Sequence, residues 1–216
     1  MEDYSKEWFT FRRGKFTASK CHMLMGEKGG ITTQTAKTYI LDKVAEELSD
    51  PHWVEEQYKD RATQWGIDLE PDASEYYSLA FNLNVDKPDP QSPEWCDEIS
   101  CSPDGIVYPQ HENNYGIEIK CPYNRSNHVK HMLLMEERDL KSTMKEYYWQ
   151  VLMNMLIFEF NYYEFISYDP RFIGKNRMFV LPFKIENVND DIKRLKENLL
   201  LAVKEKHRII NLINAQ

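Results

Sequence analysis

With 216 residues, 42% of them hydrophobic and 29% charged, the chain has the apolar content for a core of its own and lacks the bias of a disordered segment. Its longest apolar run, around Val151 to Phe160, is interrupted by Asn154 and Glu159 and is too short to span a bilayer, and no apolar leader opens the sequence, so the expectation is an intracellular, cytoplasmic protein with no membrane contact. The net charge of −8 argues against a nucleic-acid partner only until its distribution is read: residues 42–104 carry 17 acids against 4 Lys/Arg, while the rest carries 18 against 23, and phosphate binding depends on local charge.

No repeat, low-complexity tract or Gly/Ser linker divides the chain, which predicts one domain over residues 1–216. The first feature is EWFTFRRGKFTAS, which sets Trp8, Arg12, Arg13, Lys15 and Ser19 close together. Arginine offers a planar fork to phosphate and serine a further donor; a helix with surface basic residues and one buried tryptophan fits the same letters. If the stretch is helical, Arg12 and Ser19, seven apart, stand about two turns apart on one face. Thr32 to Leu48 reads as an amphipathic helix through Ala36, Ile40, Val44 and Leu48. Ala62 to Leu79 also reads as helix, with a kink or restart expected at Glu70, because the residue before Pro71 is biased away from α conformation. KPDPQSPEW is a loop.

Short strands are predicted at Glu98–Cys101, Gly105–Tyr108 and Gly116–Lys120, with PQHENN as a hairpin loop. Lys141 to Phe160 is expected to be one long buried helix, apolar on nearly every side. Tyr162–Tyr168 and Arg177–Lys184 are strand-like, and Asn189 is the expected cap of a last helix with Ile192, Leu195, Leu199, Ala202 and Val203 on one face. Helices and strands in this order predict an α/β fold with a central sheet flanked by helices. Cys21, Cys96, Cys101 and Cys121 include no CxxC pair, and an intracellular setting favours reduced, partly buried thiols over disulfides or a metal cluster.

The chemistry concentrates in Ser102–Lys120. On a strand, Glu118 and Lys120 point to one face, and Asp104 sits on the turn at the end of a neighbouring strand. Two carboxylates held this way suit a hard divalent cation, with the Ile119 carbonyl as a further oxygen ligand and a lysine able to orient or deprotonate water. An SPDG turn beside a decorated exposed strand explains the same residues. Gln150 and Asn154, four apart on the apolar helix, share a face and need polar partners there. Glu70 is a possible third acid. Arg125, His128, Lys130 and His131 form a basic run that fits either a nucleic-acid backbone or a solvated face.

Taken together, W-x3-R-x-G-x2-TAS at Trp8–Ser19, G-x3-E at Gly66–Glu70, CSPDG at Cys101–Gly105, ExKCP at Glu118–Pro122, Y-x2-QV at Tyr147–Val151 and YDPR at Tyr168–Arg171 resemble, in the same order, the lambda-exonuclease-type (YqaJ-like) viral recombinase nucleases of the PD-(D/E)XK superfamily, over about residues 4–180. The resemblance implies a restriction-endonuclease-like core with a mixed sheet and a Mg²⁺-dependent 5′→3′ exonuclease, with Mn²⁺ as a substitute, that degrades one strand of linear double-stranded DNA. It implies Asp104, Glu118 and the Ile119 carbonyl as metal ligands, Lys120 as the group activating water, and Glu70 and Gln150 lining the site. Arg12 and Ser19 would hold the 5′-phosphate, with Tyr147, Arg125 and Lys130 as further DNA contacts. A single-strand annealing protein and a homotrimeric ring are the implied partners. Two rivals share these residues. One is another nuclease on the fold, either a site-specific endonuclease or a Cas4-like iron–sulfur enzyme, whose C-terminal cysteine cluster this spacing lacks. The other is an inactive DNA-end-binding module, against which intact Asp104, Glu118 and Lys120 argue.

Overall fold

The computed structural model describes residues 5–28, 30–50, 60–110 and 113–216, so His111 and Glu112 of the expected hairpin loop lie outside the described residues. Its centre is a five-stranded mixed sheet in the order β2 (Asn84–Asp86), β4 (Gly105–Tyr108), β5 (Tyr115–Lys120), β6 (Tyr162–Tyr168) and β7 (Met178–Lys184). Only β5 and β6 run parallel, and the connection between them carries three helices: α4 (Arg125–Met132), α5 (Glu137–Thr143) and α6 (Lys145–Phe158).

Alternation along the strands sorts the two faces. Tyr163, Phe165, Leu181 and Phe183 point into the larger core, with α6, α2 (Gln34–Leu48) and α7 (Ile185–Asn214). Ile117, Ile119, Ile166 and Tyr168 point the other way, onto Ala73 and Tyr77 of α3 (Arg61–Phe81). Glu118 and Lys120, being of the opposite parity to Ile117 and Ile119, therefore face the larger core and α6.

Several expectations change. Glu98–Cys101 is not a strand of the central sheet: β3 (Ile99–Ser100) pairs in parallel with β1 (Phe16–Thr17) as a separate two-stranded ribbon. The chain does not restart at Pro71, since α3 runs through it, anchored at its start by Asp60 accepting from Thr63 N–H. Tertiary packing of Ala73 and Tyr77 outweighs the local bias at Glu70. Lys141–Phe160 is two helices, broken at Met144, whose backbone (φ −142°, ψ 64°) leaves the helical region. The last helix starts at Ile185, directly from β7, so Asn189 is interior and no cap. Strand β2 had no signal beyond one valine between polar residues. Among the described residues, no helix is long and apolar enough to cross a membrane.

Candidate active site

Close packing of backbone brings β4 to β5 at the site. A Cβ on Gly105 would meet Val85 Cγ1 at 2.5 Å, so only glycine lets the turn after Asp104 pass there. Asp104 N–H donates to the Ile117 carbonyl at 3.1 Å, and its Oδ2 accepts from Ile119 N–H at 2.7 Å. The N–H and C=O of a strand residue point to the same edge, so the Ile119 carbonyl also faces the edge that Asp104 occupies.

Glu118 is fully buried, and every oxygen is held. Oε1 accepts from Lys120 Nζ and from Gln150 Nε2, each at 2.5 Å, and Oε2 accepts from Asn154 Nδ2 at 3.1 Å. The Asn154 amide also donates to Tyr163 Oη at 2.9 Å, and that hydroxyl donates to the Ile117 carbonyl. Lys120 Nζ lies 5.1 Å from the centre of the Tyr147 ring. Glu70 arrives from α3, in the opposite layer, paired to Lys87 at 2.5 Å.

The electrostatics tie these groups together. Burial, then the Glu118 charge, pushes Asp104 up to about 7. Glu118 is raised by burial, with Lys120 opposing and Glu70 adding. Glu70 is raised by burial and then by Asp104. Burial works against the Lys120 charge, but Glu118 and Asp104 outweigh it and hold the ammonium above its ordinary range. Cys121, at the end of β5, is pushed up to about 12 by burial, then by Glu70 and Asp104. Three carboxylates that each resist ionisation because of burial and one another are a donor set a hard cation fits. Among the described residues, no group of three or more His, Cys, Asp and Glu side chains is gathered as a ready metal cage; a Mg²⁺ site asks for less, one or two carboxylates completed by water.

A cleft of about 1130 Å³ opens over this point, lined by Glu70, Ile119, Lys120, Lys130, His131 and Tyr147 among others. Asp104, Glu118 and Gln150 are not in its lining, and neither are Arg12, Ser19 or Arg125. Arg12 and Ser19 do meet, Nη2 to Oγ at 3.5 Å, but not through a helix: α1 (Lys6–Arg12) ends at Arg12, and β1 and a 3₁₀ turn over Ala18–Leu24 carry the chain back. Trp8 is half-buried and lies under the Arg12 guanidinium at 4.1 Å. Burial pushes the Cys101 thiol well up; the Arg12 charge opposes that and the Glu118 charge adds to it. The other basic residues of this stretch are occupied. Arg13 donates to the Glu46, Ser49 and Asp50 carbonyls and caps α2, and Lys15 pairs with Asp97 at 3.0 Å. The basic run after β5 also divides. Arg125 and Lys130 are exposed, whereas His128 and His131 are buried and bond to Ser167, with His131 also at the cleft wall.

Sequence reasoning missed Tyr163, Lys87 and Ser167. Nothing in their local pattern marks them, because each is recruited across strands or from a loop. The four cysteines are free thiols; Cys21, Cys101 and Cys121 are buried and Cys96 is half-buried.

A mixed sheet whose acid-bearing hairpin is covered by helices from both layers is the restriction-endonuclease-like core. The YqaJ-like viral recombinase domain matches residues 7–161, and the chain belongs to that family. Its fold is similar to that of an alkaline exonuclease (LHK-Exo) from Laribacter hongkongensis, with a TM-score of 0.78, 22% identity and coverage of 98% of this chain and 97% of that one. The same protein in complex with dAMP gives 0.79 at 22% identity, again covering 98% and 97%. A phage-related exonuclease from Haemophilus somnus 129PT gives 0.69 at 15% identity, covering 92% and 96%. Among curated protein sequences, none matches this chain.

Proposed function

We propose that the protein is a Mg²⁺-dependent 5′→3′ exonuclease acting on linear double-stranded DNA in phage-type recombination, with Mn²⁺ able to replace Mg²⁺. The observation that carries this is the convergence of Asp104, Glu118, Lys120 and Gln150 from two strands and a helix beneath an open cleft. Membership of a viral recombinase family and a fold shared with exonucleases support it.

Asp104, Glu118 and the Ile119 carbonyl would hold the metal, with Glu70 at its edge. When bound, a divalent ion would supply Lewis-acid polarisation of the scissile phosphate and of the attacking water. Gln150 and Asn154 fix the Glu118 carboxylate so that its geometry does not depend on the metal. Lys120 stands as an ammonium between Glu118 and the cleft, where it orients the attacking water and offsets charge developing on the phosphorane oxygens. Tyr147 provides the ring against which that ammonium rests. Arg12 and Ser19 would receive the terminal 5′-phosphate, and Arg125 and Lys130 the duplex backbone. A homotrimeric ring would keep an acidic protein linked to long DNA, and the single strand left behind is a substrate for an annealing protein. Light scattering tests the ring: a monomer mass at every concentration would remove it.

The deciding experiment incubates the protein and Mg²⁺ with linear duplex, each strand labelled at its 5′ end in turn, and with a covalently closed circle. Early release of the 5′ label as mononucleotide from linear duplex, with the circle intact, is expected. Cleavage of the circle would make the protein an endonuclease, and binding of ends without label release would make it an inactive end-binding module.

A further inference from the structure

Beside the catalytic row on β5 runs a second polar row on β6. Lys120 is in register with Ser167, and Glu118 with Phe165, so in this parallel pair the four side chains share the face covered by α4 and α6. Ser167 is fully buried, and its hydroxyl lies 2.7 Å from His128 Nδ1 and 2.7 Å from His131 Nδ1. His128 Nε2 lies 2.8 Å from the Asn176 carbonyl. His131 packs its ring edge-on to Phe165 and to Tyr147, the ring that faces Lys120 Nζ.

This arrangement has one consistent proton assignment when both rings are neutral. A carbonyl only accepts, so His128 carries its proton on Nε2 and leaves Nδ1 bare. Ser167 must then donate its single O–H to His128 Nδ1, which leaves its oxygen as an acceptor. His131 meets that oxygen with Nδ1–H, and its Nε2 keeps a lone pair. Burial lowers His131 to about 4, and the bonds of the two rings go to a hydroxyl and a carbonyl, not to a carboxylate. The charged and titratable groups facing His131 are His128 and Lys130 on its own helix, Lys120 on β5 and Tyr147 on α6. Asp169, near His128, is already held by the Arg171 fork.

We infer that His131 is a positioning residue for Lys120, fixed through Asn176, His128 and Ser167 in its Nδ1–H tautomer so that it presents a lone pair on the cleft side. His131, Lys120 and Tyr147 all line the cleft, and Nε2 of His131 has no hydrogen-bond partner among the described residues. An N–H or a second cation there would oppose the lysine ammonium, whereas a lone pair and a fixed ring edge behind Tyr147 keep it seated. The inference rests on the reading of Lys120 as the catalytic lysine.

Ring ¹⁵N shifts of the labelled wild-type protein at pH 8 read the tautomers directly. The expected result is Nδ1–H for His131 and Nε2–H for His128; Nε2–H at His131 overturns the inference. Ser167→Ala should release His131 toward its Nε2–H form and lower kcat on linear duplex about tenfold with KM for DNA unchanged. Ser167→Thr, which keeps the hydroxyl, should restore both tautomer and rate. A Ser167→Ala protein with wild-type kcat, or one slowed while His131 stays Nδ1–H, overturns the positioning role. A wild-type protein that fails to degrade linear duplex removes that role together with the proposed activity, whereas Nε2–H at His131 in an active enzyme removes this inference alone.

Discussion

Asp104 carries the clearest consequence at the scale of a single residue. Its folded-state pKa, pushed up to about 7, lies above the ordinary carboxylate value, so its contribution to stability is complete below pH 4 and is lost as the pH rises toward 7. A divalent cation binds the ionised form and should return that loss. Mg²⁺ is therefore expected to raise Tm more at pH 8 than at pH 5.5, and Asp104→Asn should abolish the difference; an equal Mg²⁺ effect at both pH values in the wild type would contradict it. In turnover, Asp104→Ala, Glu118→Ala and Lys120→Ala should each lower hydrolysis by orders of magnitude, but only the first two should weaken Mg²⁺ binding by calorimetry. Near-normal turnover in Asp104→Ala would sink the assignment. For the DNA end, a terminal phosphate carries about one more negative charge than a diester, and hydrogen bonds to charged groups are worth roughly 1.5–3 kcal/mol. The preference for 5′-phosphate over 5′-hydroxyl ends should then be about tenfold to a hundredfold. Arg12→Ala should remove most of it while sparing Mg²⁺ binding; a retained ratio would move the phosphate pocket elsewhere. Glu118 with Lys120, and Gln150 with Asn154, were legible as pairs because strand and helix periodicity puts each pair on one face; it was the family resemblance that joined them and Asp104 into one site. The partners of Glu70 and His131 were not legible, because Lys87 and Ser167 reach them from other elements.

At the scale of elements, the sheet and site are joined through Gly116. A Cβ there would stand 2.3 Å from Tyr163 Cε2 and 2.9 Å from Phe160 Cε2. Both rings are in the core, and Tyr163 is the link between the Ile117 carbonyl and the Asn154 amide that holds Glu118. Gly116→Ala should displace Tyr163, cost about 1–3 kcal/mol as overpacking does, and slow hydrolysis by loosening Glu118. Urea denaturation and turnover measure the two effects, and a variant as stable and active as wild type would show that the rings move aside freely. Most strands and the helix over Gln34–Leu48 were visible from alternation and amphipathic spacing. The break at Met144 was not, because an apolar run such as KEYYWQVLMNMLIF carries no Gly or Pro to announce where its helix begins. Conversely, Pro71 raises the expectation of a kink or restart, and α3 runs through it without a restart, carrying the buried Ala73 and Tyr77.

For the molecule as a whole, the family match stops at residue 161, yet the fold does not. Strands β6 and β7 complete the sheet, and α7 buries Val188, Ile192, Leu195, Leu199, Ala202 and Val203 against the larger core. The amphipathic spacing of α7 was readable, but its most telling residue was not. Lys206 would pass for a solvated charge near the end of a helix, and it is 1% exposed. Its Nζ pairs with Glu47 at 2.6 Å and with Glu98, and donates to the Gly14 carbonyl at 2.9 Å. One ammonium thus ties the last helix to α2, to the residue preceding β3, and to the turn that follows Arg12, whose Gly14 has the left-handed φ of +70°. Glu47 keeps access to water, but the Glu98 Oε2 that meets Lys206 is itself buried, so removing the lysine strands that oxygen. The loss should be about 3 kcal/mol, the figure at which breaking a buried pair begins. Lys206→Met keeps the aliphatic length and isolates the charge. It should lower the urea midpoint and, by freeing the Gly14 turn, reduce the preference for 5′-phosphate ends more than the rate on 5′-hydroxyl ends. A stable Lys206→Met protein with the wild-type end preference would show that the Arg12 turn stands without its tether to the last helix.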